Sequence, residues 1–187
     1  MTGCDIDFTR PAYAVARDLI GATFLVDGIG GVIIETEAYE HDDPASHSFS
    51  GPTLRNMAMF GEPGNIYVYR SYGLHWCLNI VCGPAGHGAA VLLRALWPSS
   101  GIDIMQQRRG MEDLRLLCAG PGRLSQALGI HAGHNGLAVT LPPFSLSKAS
   151  SRSAVLEGPR IGISKAVEMP WRFGLAGASG LSKRFKP

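Results

Sequence analysis

The chain has 187 residues, of which 45% are hydrophobic and 17% charged, with 24 Gly, 12 Pro and four Cys. That length favours one domain able to bury a core without disulfide staples, and the composition excludes intrinsic disorder. The formal net charge of +2 hides an uneven distribution: residues 1–60 hold 3 basic and 9 acidic side chains, residues 61–187 hold 14 basic and 6 acidic. Thirteen of the 17 basic residues are Arg, whose planar fork bonds two phosphate oxygens at once. This one-sided placement modestly favours a polyanionic partner.

The many turn-formers predict short elements rather than a helical bundle. Residues 11–20 begin with Pro, carry apolar side chains at helical spacing and stop at Gly21, which predicts a short helix. Residues 22–26 are strand-like, Asp27-Gly28 is a hairpin signal, and residues 31–39 (GVIIETEAY) form the next strand. Residues 40–65 form a long loop interrupted by a helical turn near 54–60. Strands follow at 65–72 and 75–82, joined at Gly73-Leu74. Residues 83–88 are a loop. Residues 89–96 (AAVLLRAL) are apolar almost throughout, which predicts a central strand.

The second half turns helical. Residues 102–109, 112–118 and 120–130 are expected as helices, the last ending near Gly129. Residues 142–153, rich in Ser, are expected as an exposed loop or connector. The segments 159–166 and 170–175 are the last ordered pieces, and the tail from about residue 176 is expected to fray. Strands first and helices later predict an α+β domain spanning residues 1–187 with an antiparallel-rich sheet.

The four cysteines (Cys4, Cys77, Cys82 and Cys118) form neither a disulfide framework nor a zinc pattern, and are expected as reduced, mostly buried thiols. Histidine spacing matches no metal motif, so no metal site is expected. No basic-then-apolar leader and no apolar run of about 18 residues is present, so a cytoplasmic location is the default expectation. No obligate protein partner is evident, and a monomer is the default.

Chemistry concentrates around the strand at 31–39. Glu35 and Glu37 are two residues apart and share a face by strand alternation, with Tyr39 on the same face. A carboxylate in an apolar strand costs free energy unless it is paired. Arg94, itself inside an apolar strand, is the expected partner of Glu35 or Glu37. The segment reads either as an exposed strand face or, with His47 close behind, as an acid/base site where a carboxylate, a phenol and an imidazole converge. Tyr67 and Tyr69 share a face and fit either ordinary strand packing or a platform for a stacked base; Tyr72 points the other way or lies in the turn. Asn79 is a polar intrusion in CLNIV. Gly120-Pro121-Gly122-Arg123 opens a helix whose free N–H groups can receive a phosphate, a signal of low specificity.

The strings ETEAY (35–39), ASHS (45–48), RNMAMFGEPGNIYVYRSYG (55–73), CLN (77–79), AVLLRAL (90–96), CAGPGRLSQALGI (118–130) and GPRIGISKA (158–166) occur in order. Together they resemble the alkyladenine (3-methyladenine) DNA glycosylase family, over about Pro11 to Phe173. The resemblance implies a compact domain with a curved antiparallel β-sheet, surrounding helices and a protruding β-hairpin that enters the DNA minor groove. It implies a partner, double-stranded DNA containing damaged purines, and hydrolysis of the N-glycosidic bond of 3-methyladenine, 7-methylguanine, hypoxanthine or ethenoadenine without metal or cofactor.

By the same resemblance, Glu37 is the general base, and Arg94 and the main-chain carbonyl of Ile161 hold the attacking water. Tyr39, His47 and Tyr69 stack on the flipped base, and Asn79 discriminates against the 2-amino group of guanine. Tyr72 is the wedge, Leu74 and His75 contact DNA after it, and Arg55 also faces DNA. Two departures stand out: Trp97 replaces a frequent Glu, and GASGLSKRF lacks the family's Pro and aromatic. The second segment borders the pocket in the family, so its change bears on substrate breadth. The first lysine is Lys148, distant in sequence from ETEAY, so no lyase step is expected. The alternative, a catalytically silent damaged-DNA-binding module, does not account for Glu37 and Arg94.

Overall fold

The computed structural model describes residues 6–149, 151 and 153–186. Its organising strand is β2 (Ile29–Tyr39), which follows β1 (Thr23–Val26) across the two-residue turn Asp27-Gly28. Both turn residues have positive φ, 50° and 78°, the geometry whose twist matches two antiparallel strands. The strands β3 (Ile66–Ser71), β4 (His75–Cys82) and β5 (Ala89–Ser100) then run as an antiparallel meander. The sheet order is β3-β4-β5-β2-β1, extended beyond β1 by β6 (Phe144–Ser147).

One edge of β2 is shared between two partners. Its first residues, Ile29–Val32, pair with β1, whereas Glu35, Thr36 and Glu37 pair with β8 (Arg172–Leu175). β8 in turn carries β7 (Val155–Gly158). Register shifts between β2 and β5 fall near Gly30 and Glu35; such irregularities bend the strand and increase its twist. The result is a curled antiparallel sheet in a single α+β domain. At Gly31 a Cβ would lie 1.9 Å from the Trp97 carbonyl oxygen, so no larger residue fits this close strand approach.

Helices cover the concave core. α1 (Ala12–Asp18) follows Pro11 and lays Val15 and Ala16 against the sheet, with Leu19 just beyond. α2 (Ile102–Arg109), the single turn α3 (Leu114–Leu117) and α4 (Pro121–Leu128) add Met105, Leu117, Leu124 and Leu128. Each such apolar side chain stabilises the fold by about 1.5–3 kcal/mol. Gly110 and Gly129 close α2 and α4 in the left-handed region, where glycine carries no Cβ penalty. No helix among the described residues is long and apolar enough to cross a membrane. Cys77, Cys82 and Cys118 are buried free thiols; Cys4 lies outside the described residues.

Four expectations need correction. Residues 142–153 are not merely a loop: β6 pairs with β1, and Phe144 and Leu146 point inward, Phe144 stacking on Phe24. The alternation Phe-Ser-Leu-Ser carries that information. β7 lies in a stretch where no strand was expected, and residues 159–166 form bends rather than a regular element. The helix expected over 112–118 shrinks to four residues, opened by the Asp113 side chain accepting from Arg115 N–H. Finally, the tail packs instead of fraying. Ser182 and Phe185 contact buried charges, as described below.

Candidate active site

Glu35 and Glu37 sit where β2 is hydrogen-bonded on both sides, and both are completely buried. Arg94 comes from the neighbouring β5. Its Nε lies 3.2 Å from Glu35 Oε1 and its Nη1 lies 3.2 Å from Glu37 Oε2. The expected pairing with one of the two carboxylates is therefore a bridge to both. Arg172 on β8 adds a second cation, with Nε donating to Glu35 Oε1 at 2.7 Å. Two carboxylates and two guanidiniums thus balance their charge inside the sheet, which offsets the cost of removing each from water.

The C-terminal tail completes this cluster. Ser182 N–H donates to Glu35 Oε2 at 2.5 Å, and Ser182 Oγ donates to Glu35 Oε1 at 2.7 Å. The same hydroxyl accepts from Arg94 Nε and Nη2 at 3.3 and 3.2 Å. The Phe185 ring lies 3.9 Å from the Arg172 guanidinium carbon. Glu35 is consumed by structural bonds, whereas Glu37 is held differently.

Glu37 Oε1 accepts the Ile161 main-chain N–H at 2.7 Å, and Oε2 accepts the Tyr39 hydroxyl at 2.9 Å as well as Arg94. Burial pushes the Glu37 carboxyl above the ordinary carboxylate range; Arg94, the Ile161 N–H and the Tyr39 hydroxyl oppose this without cancelling it. Arg94 itself is held more firmly protonated than usual: burial acts against its charge, but Glu37 and Glu35 outweigh it.

The segment bearing Ile161 is fixed by Arg160. This guanidinium is fully buried and pairs with Asp43, while Nη1 also donates to the Ala38 carbonyl at 2.9 Å. It lies 4.7 Å from the Tyr39 ring and 5.3 Å from the Trp171 ring. The loop after β2 and the segment before β8 are thereby locked together over Tyr39.

In front of Glu37 opens a cavity of about 460 Å³. Tyr39, Arg94 and Ile161, the three residues bonded to Glu37, all line it; Glu37 lies directly behind them. His47, Tyr67, Tyr69 and Asn79 form further walls. The Tyr67 and Tyr69 rings stack at 5.6 Å and 29°, and His47 meets Tyr69 edge-on at 4.4 Å. His47 Nδ1 lies 3.0 Å from the Tyr67 hydroxyl. Burial, then the charge of Arg55, lowers the His47 pKa, which favours the neutral imidazole. Burial raises the Tyr67 phenol to about 12 and pushes Tyr39 and Tyr69 higher still. All three phenols stay protonated. Asn79 donates through Nδ2 to the Tyr67 carbonyl at 3.1 Å.

The β3–β4 hairpin stands at the cavity rim. Tyr72 and Gly73 both have positive φ, 51° and 70°, and Leu74 N–H closes the turn on the Ser71 carbonyl. Tyr72 is 94% exposed and Leu74 72% exposed, although such side chains normally seek cover. His75 is exposed too. Arg55 lines the rim and donates to the Arg70 carbonyl at 3.2 Å. Arg70 lies 5.0 Å from the Trp76 ring, stiffening the hairpin stem.

The structure brings most of the residues singled out from sequence to one place. Leu74 and His75 stay outside the cavity lining, on the hairpin. At Ile161, the group touching Glu37 is the N–H; the resemblance had implied the carbonyl as a water ligand. Sequence reasoning missed Arg160, Asp43, Arg172 and Ser182. Arg160 and Arg172 lie within the GPRIGI and PWRFGL strings, and their apolar or aromatic neighbours were the available signal.

A buried, backbone-anchored carboxylate behind an aromatic cavity is an arrangement able to activate a water beside a flat ring system. The comparisons name the family. Residues 6–179 match the model for methylpurine-DNA glycosylase. A protein of Nitrosospira multiformis, provisionally named a 3-methyladenine DNA glycosylase, is 60% identical over 186 residues, covering 100% of this chain and 96% of its own. A protein of Rhodopseudomonas palustris with the same provisional name is 59% identical over 178 residues, covering 95% and 89%. Another, of Granulibacter bethesdensis, is 61% identical over 170 residues, covering 89% and 80%. The chain belongs to the methylpurine-DNA glycosylase family. It is a DNA glycosylase, a hydrolase of base-excision repair.

Proposed function

We propose that the protein flips alkylated or deaminated purines out of duplex DNA and hydrolyses their N-glycosidic bond with a water activated by Glu37. The substrates are 3-methyladenine, 7-methylguanine, hypoxanthine and ethenoadenine. The observation that carries this reading is the anchoring of Glu37 by Ile161 N–H, Tyr39 and Arg94 directly behind the aromatic cavity.

A base inside a duplex cannot reach such a site, so it is first extruded, at a cost of a few kcal/mol that is smaller for a damaged or mispaired base. Tyr72 at the exposed hairpin tip fills the gap in the stack, with Leu74, His75 and Arg55 against the DNA. The extruded purine stacks among Tyr39, His47 and Tyr69. Asn79, whose Nδ2 is already engaged, presents its remaining surface to the ring edge and rejects the 2-amino group of guanine.

The attacking water takes its place beside Glu37, Arg94 and the Ile161 main chain. As the C1′–N bond breaks, its electron pair leaves with the base and the sugar gains oxocarbenium character. The ionised Glu37 stabilises that charge and accepts the water proton while the oxygen bonds to C1′. Such base catalysis contributes typically about 10²–10⁴-fold. A cationic leaving base such as 3-methyladenine departs as a neutral molecule; hypoxanthine takes up a proton. No lysine lines the cavity among the described residues, which supports hydrolysis alone without a Schiff-base step.

The test is a duplex carrying one hypoxanthine, treated with alkali after incubation to cut abasic sites. Strand breaks should depend on the protein; their absence with hypoxanthine, 3-methyladenine and ethenoadenine alike would overturn the reading.

A further inference from the structure

We propose that Glu40, His41 and His87 form a zinc-binding site separate from the glycosylase cavity. Their ligand atoms all lie within 4.8 Å of one another, the one such grouping among the described residues. None of the three lines the cavity. Sequence spacing concealed the set, because His87 lies in the β4–β5 loop, 46 positions beyond His41.

Two features beyond proximity point to a cation. Glu40 as a whole residue is only 8% exposed. Its Oε1 accepts the Tyr13 N–H at 3.3 Å, which orients the group; Oε2 has no hydrogen bond among the described residues. A carboxylate in so buried a residue, held by a single long hydrogen bond, is costly to keep charged unless a cation meets it. Beside it, the His41 and His87 rings lie 3.8 Å apart at 46°. Each ring can offer a nitrogen lone pair to one metal ion placed between them and Glu40.

Two imidazoles and one carboxylate suit zinc, with a water completing the tetrahedron. Zinc ligands at about 2.0–2.1 Å from the ion lie roughly 3.4 Å apart. The set therefore closes with side-chain shifts of about 1 Å. The His41 side chain is 48% exposed, which leaves room for such a shift. His87 is held by its loop, where its N–H bonds the Pro84 carbonyl and Gly86 N–H bonds the Phe60 carbonyl. Asp42 Oδ1, 3.9 Å from His41 Nδ1, is placed to steady that ring from behind the ion.

The position gives the ion a structural role. Glu40 and His41 begin the loop that carries Asp43, the partner of Arg160, and His47 of the cavity wall. Zinc would clip this loop to residues 83–88.

The experiment titrates zinc sulfate into EDTA-treated, dialysed protein by calorimetry and by thermal unfolding. We expect one equivalent bound and a midpoint raised by several degrees. His41→Asn/His87→Asn should lose at least tenfold in affinity and lose the shift. Because that pair of changes removes a ring contact within the loop, Glu40→Gln is measured too, and it should weaken binding while its metal-free midpoint stays near wild type. Equal stoichiometry and affinity in both variants would place the ion elsewhere, on a thiol or on His131 and His134, and overturn the proposal. So would no saturable binding by wild type.

Discussion

The main-chain N–H of Ile161 meets Oε1 of Glu37 across 2.7 Å, joining positions 124 apart in sequence. This bond turns the carboxylate so that its other oxygen faces Tyr39 and Arg94. The same burial that orients Glu37 also raises its pKa.

A pH profile should register that rise. If Glu37 acts as the ionised base, excision of 3-methyladenine should fall as pH drops through the raised pKa, so the acid limb should lie above the usual 4.5 of a glutamate. The linkage has a definite sign: a group whose folded pKa is raised stabilises the fold below its unfolded pKa and loses that contribution as pH rises through the folded pKa. Ionised Glu37 therefore costs stability at neutral pH. Glu37→Gln should remove about 10²-fold or more of the single-turnover rate, yet leave duplex binding intact. Normal turnover by this variant would remove Glu37 from the mechanism.

Glu35 should matter for the fold first. Glu35→Ala strands Arg94 and Arg172 without their shared acceptor, a change worth about 3–5 kcal/mol for a buried pair. For a chain of this size each kcal/mol lowers the thermal midpoint by about 2–4 °C, so a fall of about 10 °C is expected by calorimetry. Ser182→Ala should cost about 1 kcal/mol. It should also reduce kcat while leaving KM nearly unchanged, because it frees Arg94 in the cavity wall.

Arg160 and Asp43 form the second buried pair, and Asp43→Ala should destabilise the protein by about 3–5 kcal/mol. Hydrogen exchange offers a sharper readout: the Ile161 amide, now bonded to Glu37, should lose protection early. Retained protection would mean that Ile161 is placed by something other than the Arg160 clamp.

Tyr72 should separate function from stability. It is 94% exposed and has positive φ, a conformation that costs a non-glycine residue about 1 kcal/mol. Tyr72→Gly should therefore leave the thermal midpoint unchanged or slightly raised, while excision from duplex falls at least tenfold. Equal excision rates for variant and wild type would show that the tip does not wedge into the stack.

Much of the site was legible in local sequence. Alternation along ETEAY predicted a shared face for Glu35, Glu37 and Tyr39, and the bonds to Arg94 and between Tyr39 and Glu37 agree. An arginine within AVLLRAL required an acidic partner, and it has two. Asp27-Gly28 announced its hairpin. The misses share another character. β6 was overlooked because its four-residue alternation lies among serines, and the tail because its composition resembles a frayed end.

By itself, the sequence determined the periodicities, the turns and the demand that each buried charge find a counter-charge, since these depend on neighbours within a few positions. The tertiary structure alone decided which partner answered each demand. It chose Ser182 and Arg172 for Glu35, Asp43 for Arg160 and the Ile161 N–H for Glu37. Desolvated charges accept any partner of matching geometry, and only chain closure over more than 100 residues selects one.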